Sequence, residues 1–283
     1  MKSVLITGSS TGIGEDCALH LDNLGYRVFA GVRKTADGEN LRKRSSDRLI
    51  PLFIDVKDSK SIAAAARAVH DLTGEAGLDG LVNNAGIVVA GPLEFVPLDA
   101  LRDQYEVNII GQIAVTQAFL PLLRKAQGRI INIGSIGGLV AKPFVGCYGS
   151  SKAALEGLTD TLRMELNQWG LQVSIIEPGG IKTAIWEKSR DSALNLLQRM
   201  PKEAEQLYGQ GITAMRAIAE KMADGGVPVE EVTRAVVHAL TSAKPKTRYV
   251  VGRQAKLQLI LSKVLSNRMM DRLILKKLGL PVK

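Results

Sequence analysis

Residues 3–25 read SVLITGSSTGIGEDCALHLDNLG. An apolar, β-branched run gives way to a glycine-rich turn and then to helical text, so TGSSTGIG (Thr7–Gly14) joins a strand to a helix. Each glycine there has a separate physical use. Gly8 permits a tight turn, Gly12 lets the backbone approach a pyrophosphate, and Gly14 lets the helix pack closely on the sheet. The N-terminus of the helix adds a favourable field for the phosphate charge. Gly8, Ser9, Ser10, Gly12, Ile13 and Gly14 are therefore candidate contacts for a dinucleotide.

The same alternation continues along the chain. YRVFAGV (26–32), LIPLFI (49–54), GLVNN (80–84), GRIINIG (128–134) and LQVSIIEPGG (171–180) are short apolar runs separated by longer helical patterns. Strands apolar on both faces and spaced by helices imply a parallel sheet covered on both sides. Right-handed crossovers then give a doubly wound α/β fold. A further helix, PVEEVTRAVVHALTS from Pro228, precedes a last strand at RYVVG. The chain has 283 residues, enough for a sizeable core, and its 28 glycines and 46% apolar share suit an α/β enzyme.

Between Ala184 and Gly226 the strand alternation stops. Polar helical text there carries Trp186, Leu197, Met200, Tyr208, Met215 and Met222. It follows a strand end, where ligands of open α/β sheets bind, so it reads either as a lid or as a helical pair packed on the core. No linker cuts the chain. Residues 1–253 form one dinucleotide-binding catalytic domain, with the lid at about 184–226 and a tail at 254–283.

The second strand ends FAGVRK. An acidic residue at that end would accept hydrogen bonds from the ribose of NAD, but Val32 is followed by Arg33 and Lys34. A guanidinium matches a phosphate in shape and charge, which favours the 2′-phosphate of NADP. Asp55, beside Val56 at the end of LFIDV, stands at a strand's carboxyl end, where it would meet the adenine amino group or cap the helix starting near Ser59. In NNAG, Asn83, Ala85 and Gly86 allow close approach to a ligand, and the asparagine amides can tie strand ends together.

In CYGSSKAALEG (147–157), Tyr148 and Lys152 are four apart and so neighbours on a helix. A free phenol has a pKa near ~10, and an adjacent cation favours its ionised form. The spacing alone is common. Ser135, at the end of the strand RIINIGS, is carried to the same sheet edge as the glycine loop, so that its hydroxyl and the phenol converge on one substrate oxygen. Asn108 lies in the apolar helical text YEVNIIG, as a buried hydrogen bonder or as part of a proton relay.

With these residues in place the chain resembles a known family, the classical short-chain dehydrogenases/reductases. TGSSTGIG, NNAG, Asn108, Ser135, YGSSK and PGGIKT carry the resemblance, in the family's order and spacing, over roughly residues 2–252. It implies a Rossmann-type sheet of seven strands and a catalytic tetrad at Asn108, Ser135, Tyr148 and Lys152. Tyr148 would exchange the proton, Ser135 would polarise the substrate oxygen, Lys152 would bind the nicotinamide ribose and depress the tyrosine pKa, and Asn108 would hold a relay water. Pro178, Gly179, Ile181 and Thr183 match the segment beside the nicotinamide carboxamide, and Arg33 matches the position that accompanies NADP preference. FAGVRK and the text around Tyr148 are similar to the hydroxysteroid and retinol dehydrogenase branches, although NAD-preferring members near the latter lack the arginine. Family members are often dimers or tetramers, which implies a homo-oligomer.

Val140, Pro143, Phe144 and Val145 precede Tyr148, and with Trp186 and the lid methionines they are expected to give the substrate site an apolar wall. That suits a hydrophobic small molecule. The tail KLQLILSKVLSNRMMDRLILKKLGL has apolar residues at helical spacing with basic residues between them. It reads as a helix docked on the lid or on a second subunit, or as one lying on an anionic membrane. Of the net charge of +9, the seven Lys and Arg and one Asp after residue 253 contribute +6. The excess is thus a property of the tail and no nucleic-acid partner is expected. Cys17 and Cys147 lack metal or disulfide spacing and no run approaches ~20 apolar residues, so a cytoplasmic or peripheral protein in a reducing compartment is expected.

Overall fold

The computed structural model describes residues 1–182 and 194–282, with side chains there apart from those at 219 and 221–224. Seven parallel strands form one sheet in the order β3-β2-β1-β4-β5-β6-β7. They are β1 (Ser3–Ile6), β2 (Arg27–Val32), β3 (Leu49–Phe53), β4 (Gly80–Asn83), β5 (Arg129–Ile133), β6 (Gln172–Pro178) and β7 (Arg248–Val251). The order reverses between β1 and β4, and the two strands' carboxyl ends open a crevice there.

Alternation along each strand feeds two cores. Val4 and Ile6 point to one face, where α1 (Gly12–Asn23), α2 (Thr35–Arg42) and α8 (Val229–Thr241) supply Leu21, Leu41 and Val236. Leu5 and Phe29 point to the other, against α3 (Ser59–Thr73), α5 (Gly111–Ala126) and α6 (Gly146–Leu166), with Val69, Phe119 and Leu166. Both sets are almost fully buried, each large side chain contributing about 1.5–3 kcal/mol of transfer free energy. The doubly wound arrangement follows from strands that carry no polar face.

Several expectations need correcting in detail. The cap of α3 is Asp58, whose carboxylate accepts from Lys60 N at 2.9 Å, rather than Asp55. Asp55 Oδ1 instead accepts from Lys57 N at 3.0 Å, bending the chain after β3. Asn108 is not in regular helix but in a π-helical turn, Glu106–Ile110, inserted between α4 (Leu98–Tyr105) and α5. The continuous stretch Leu98–Ala126 is long and apolar enough to cross a membrane, contrary to the expectation of no such run, but half of its apolar window is buried inside the protein. Much of that burial is against the sheet, through Phe119, Leu122 and Leu123.

The tail is two helices rather than one. Leu265 leaves the helical region and Ser266 caps the second, giving α9 (Arg253–Val264) and α10 (Asn267–Lys277). Their inner residues Ala255 and Met270 pack on Ile136 and Val140, directly after Ser135. The expected lid is described only in part. Leu196, Met200 and Ala204 form a small cluster with Val96 and Cys147 apart from the two sheet cores, and most described residues of α7 (Lys202–Gly225) are exposed or half-buried.

Candidate active site

The glycine loop is shaped by its contacts. Gly8 and Gly12 adopt φ of +67° and +63°, and a Cβ on Gly14 would lie 2.3 Å from the Gly8 carbonyl oxygen. Only glycine fits at these positions. Thr7 Oγ1 accepts from both Asn84 N and Ala85 N at 3.0 Å, and Asn84 Nδ2 donates to the Thr7 and Gly8 carbonyls. Asn84 thus locks β4's end to the loop, as expected of the asparagine amides in NNAG. The Asn83 amide is buried and donates to Thr116 and Asn132, while Ser9 Oγ donates to the Ile6 carbonyl. Both side chains hold the scaffold, and both residues are buried, with Ser9 N donating to Gly31 O at 2.8 Å.

Arg33, at the end of β2, is exposed, and no described residue pairs with its guanidinium. Asp55 and Val56 follow β3 at the same edge, with Val56 buried against Gly111. Ser10, Ile13 and Gly86 are at least partly accessible there. Pro178 ends β6, Gly179 N donates to Val251 O, and Ile181 bridges to Val227. Thr183 and Trp186 lie outside the described residues.

Ser135 follows β5 and opens a short turn, accepting from Gly137 N at 3.1 Å. A Cβ on Gly137 would lie 3.4 Å from Ser135 Oγ and 3.5 Å from the Tyr148 ring, so that glycine backs both groups. Burial raises the Tyr148 phenol above its ordinary value, and hydrogen bonding with Ser135 pulls it back part of the way. Lys152 is buried, with Nζ 5.9 Å from the Tyr148 ring centroid and donating to Ile133 O at 2.7 Å. Burial lowers its ammonium to about 8, opposed by the carboxylate of Glu156. The protein interior therefore acts on the phenol in the opposite sense to the depression expected from Lys152.

Asn108 is wholly buried. Its Oδ1 accepts from Ile87 N at 2.9 Å, and its Nδ2 donates to Ile87 O and Ser151 Oγ. Ser151 Oγ in turn donates to Tyr148 O at 2.8 Å. The asparagine clamps the loop after β4 onto α6, one turn from the phenol.

The expected apolar wall is redistributed. Val140 is buried against the C-terminal helices and so serves as a core contact. Phe144 has a φ of +65° and stacks edge-on against Tyr208 of α7 at 6.1 Å. A Cβ on Gly211 would come within 2.1 Å of the Phe144 ring. Phe144 thus seats α7, while Val145, half-buried at the cap of α6, stays beside the site.

A tyrosine, a serine and a lysine gathered beside a pyrophosphate-type loop on a doubly wound parallel sheet define an oxidoreductase. The chain belongs to the short chain dehydrogenase family, whose model matches residues 2–194. It is 41% identical over 262 residues to 17-beta-hydroxysteroid dehydrogenase type 6 of Bos taurus, covering 90% of this chain and 82% of that one. Retinol dehydrogenase 7 of Rattus norvegicus is 40% identical over 263 residues, with the same coverages of 90% and 82%. A short chain dehydrogenase of Burkholderia cenocepacia, solved in complex with NADP, superposes with a TM-score of 0.72 at 26% identity, covering 99% of this chain and 100% of that one.

Proposed function

We propose that the protein is an NADP-dependent oxidoreductase interconverting an alcohol and its ketone or aldehyde on a hydrophobic, steroid-, retinoid- or lipid-like substrate. The observation that carries this reading is the convergence of Ser135 and Tyr148 over Gly137, with the Lys152 amine beneath them.

The fit to a dinucleotide rests on the loop itself. Gly8 and Gly12 have positive φ, and a Cβ on Gly8 or Gly14 would strike Ala85, the Gly8 carbonyl or Asn84, so only a bare main chain makes this turn. Main-chain groups of Gly8–Gly14 would hold the pyrophosphate, Arg33 the 2′-phosphate, Asp55 and Val56 the adenine, and Asn83–Gly86 with Pro178–Ile181 the nicotinamide end. When bound, the reduced nicotinamide supplies a hydride. The chain's own part is proton transfer and orientation. In reduction Tyr148 Oη gives its proton to the substrate oxygen, Ser135 Oγ donates to that same oxygen, and Lys152 holds the ribose and stabilises the phenolate left behind. A phenol raised by burial is protonated at neutral pH, which suits this direction. Asn108 keeps α6 in register with the loop after β4.

The similarity to steroid and retinol dehydrogenases supports the substrate class. We further infer that the outer face of the C-terminal helices rests on an anionic bilayer, which would supply lipophilic substrate.

The test is NADPH oxidation against steroid ketones, retinaldehyde and small polar ketones, with Tyr148→Phe alongside. Turnover confined to the bulky apolar compounds, and reduced by at least ~10³-fold in Tyr148→Phe with NADPH binding intact, is the expected result. Tight NADPH binding without turnover on any carbonyl would instead favour a regulatory, NADPH-sensing protein.

A further inference from the structure

Behind Lys152 lies a group of buried charges for which the reaction above has no use. Glu156 is on α6, one turn beyond Lys152, and Glu177 is on β6; they are 7% and 0% exposed. Arg248 of β7 reaches both, its Nη2 standing 2.5 Å from Glu156 Oε2 and its Nε paired with Glu177 Oε1. Asp160, a further turn along α6, lies 3.7 Å from Arg248 and is itself paired with Arg163. Glu156 Oε1 is buried without a hydrogen-bond partner in the protein. Space for it exists because position 134 is glycine, where a Cβ would lie 3.2 Å from that oxygen.

The charges do not balance without Lys152. Three carboxylates, Glu156, Asp160 and Glu177, face two guanidinium groups, Arg248 and Arg163. The excess negative charge is neutralised either by the Lys152 ammonium or by a proton held between Glu156 and Glu177. Two carboxyls on one arginine cannot both ionise freely in such a setting. Burial raises both of them, and Glu156 is a charge that favours the ammonium of Lys152.

We propose that Glu156 and Glu177 form a carboxyl pair, clamped by Arg248, that sets the charge state of Lys152. Glu156 sustains the ammonium through its own negative charge. Glu177 shares the Arg248 guanidinium with Glu156 and titrates at about 7, below Lys152, so that Glu156 is charged where Lys152 titrates. Both are positioning residues, since they touch neither the reacting atoms nor the cofactor site. On its other sides the Lys152 amine meets the Tyr148 ring and the Ile133 carbonyl, and neither carries charge at neutral pH.

The inference rests on the role proposed for Lys152 in turnover, but its first test does not need turnover. The Lys152 side chain is followed by NMR in lysine-labelled protein, its resonance assigned by its loss in Lys152→Met. Glu156→Gln is expected to lower the Lys152 midpoint by about half a pH unit or more, and Glu177→Gln to move it by less. The alkaline limb of kcat/KM for carbonyl reduction should move the same way in each variant. If Glu156→Gln fails to fold, Glu156→Asp, which withdraws the carboxylate by one methylene, should shift the midpoint downward as well. A midpoint that stays fixed or rises in Glu156→Gln, or that falls as far in Glu177→Gln, overturns the proposal. Midpoints that respond as expected in a protein that turns over no carbonyl would leave the pair standing and remove the proposed reaction.

Discussion

At Lys152 the requirements of folding and of chemistry oppose each other. Burial depresses its amine from 10.5 to about 8, so the charged form is the one the folded state disfavours. Its stability contribution is full above pH 10.5 and is lost as pH falls toward about 8, which leaves a cost at neutral pH. Lys152→Met should therefore be more stable than the parent at pH 7 by about 1–2 kcal/mol, net of the hydrogen bond lost to Ile133, while losing activity. Denaturant titration at pH 7 and above pH 10 checks this, because the advantage should vanish at the higher pH. For the parent enzyme, carbonyl reduction should decline as pH rises through about 8, where the ammonium deprotonates. Arg33 allows a separate residue-scale test. Losing a charge-assisted contact worth about 1.5–3 kcal/mol, Arg33→Ala should narrow the preference for NADPH over NADH by roughly ten- to a hundredfold in kcat/KM. An unchanged ratio would remove Arg33 from the cofactor site. The Tyr–Lys spacing and the arginine were legible in the sequence. The direction of the phenol's shift was not, because burial is decided by elements remote in the chain.

At the scale of elements, what the sequence displayed was periodicity, and what it concealed was where periodicity breaks. The seven strands and the glycine turn stand out because strands buried on both faces must be apolar throughout. The π-helical turn at Glu106–Ile110 is hidden because apolar residues continue across it. Such turns often mark functional sites, and this one aims Asn108 at Ile87 and Ser151. Asn108→Ala would leave the Ile87 N–H unpaired, with Gln104 Nε2 still donating to the Ile87 carbonyl at 2.8 Å, and should cost about 1–3 kcal/mol of stability as well as activity. Asn108→Asp keeps the acceptor for Ile87 N but buries a carboxylate against the Ile87 carbonyl, so by thermal unfolding it should cost more at neutral pH than in acid, where the carboxyl is protonated. The seat of α7 was equally invisible, since it depends on a positive φ at Phe144 meeting a glycine more than 60 residues away. A methyl at Gly211 must displace the Phe144 ring. Gly211→Ala is expected to raise KM for the hydrophobic substrate several-fold while NADPH affinity, measured by fluorescence, stays constant.

Over the whole molecule the distribution of charge is more informative than its total. The chain carries +9, of which residues 254–283 contribute +6. In α9, Leu257, Ile260 and Val264 recur at three- and four-residue spacing and are 56%, 58% and 76% exposed. In α10, Met269 and Leu273 extend the apolar surface. Lys256, Lys263, Arg268, Arg272, Lys276 and Lys277 are exposed around them, with Asp271 the one acid. The sequence showed a basic amphipathic tail but could not say which residues would turn inward. Once Ala255 and Met270 are packed on Ile136 and Val140, the remaining face is both apolar and cationic. A second copy of the chain would bring the same positive charge to that face, whereas an anionic lipid surface neutralises it, at about 1 kcal/mol per Lys or Arg. The helices also sit next to Ser135, so a membrane there would lie close to the substrate site. Flotation with phosphatidylcholine vesicles, with and without phosphatidylglycerol, should show binding to the anionic vesicles that weakens as salt is raised. The pair Ile260→Asp and Val264→Asp should abolish it while leaving turnover of a detergent-solubilised steroid ketone intact. Equal binding to neutral vesicles, or a change of oligomeric state in the double variant with no effect on flotation, would assign the face to another partner.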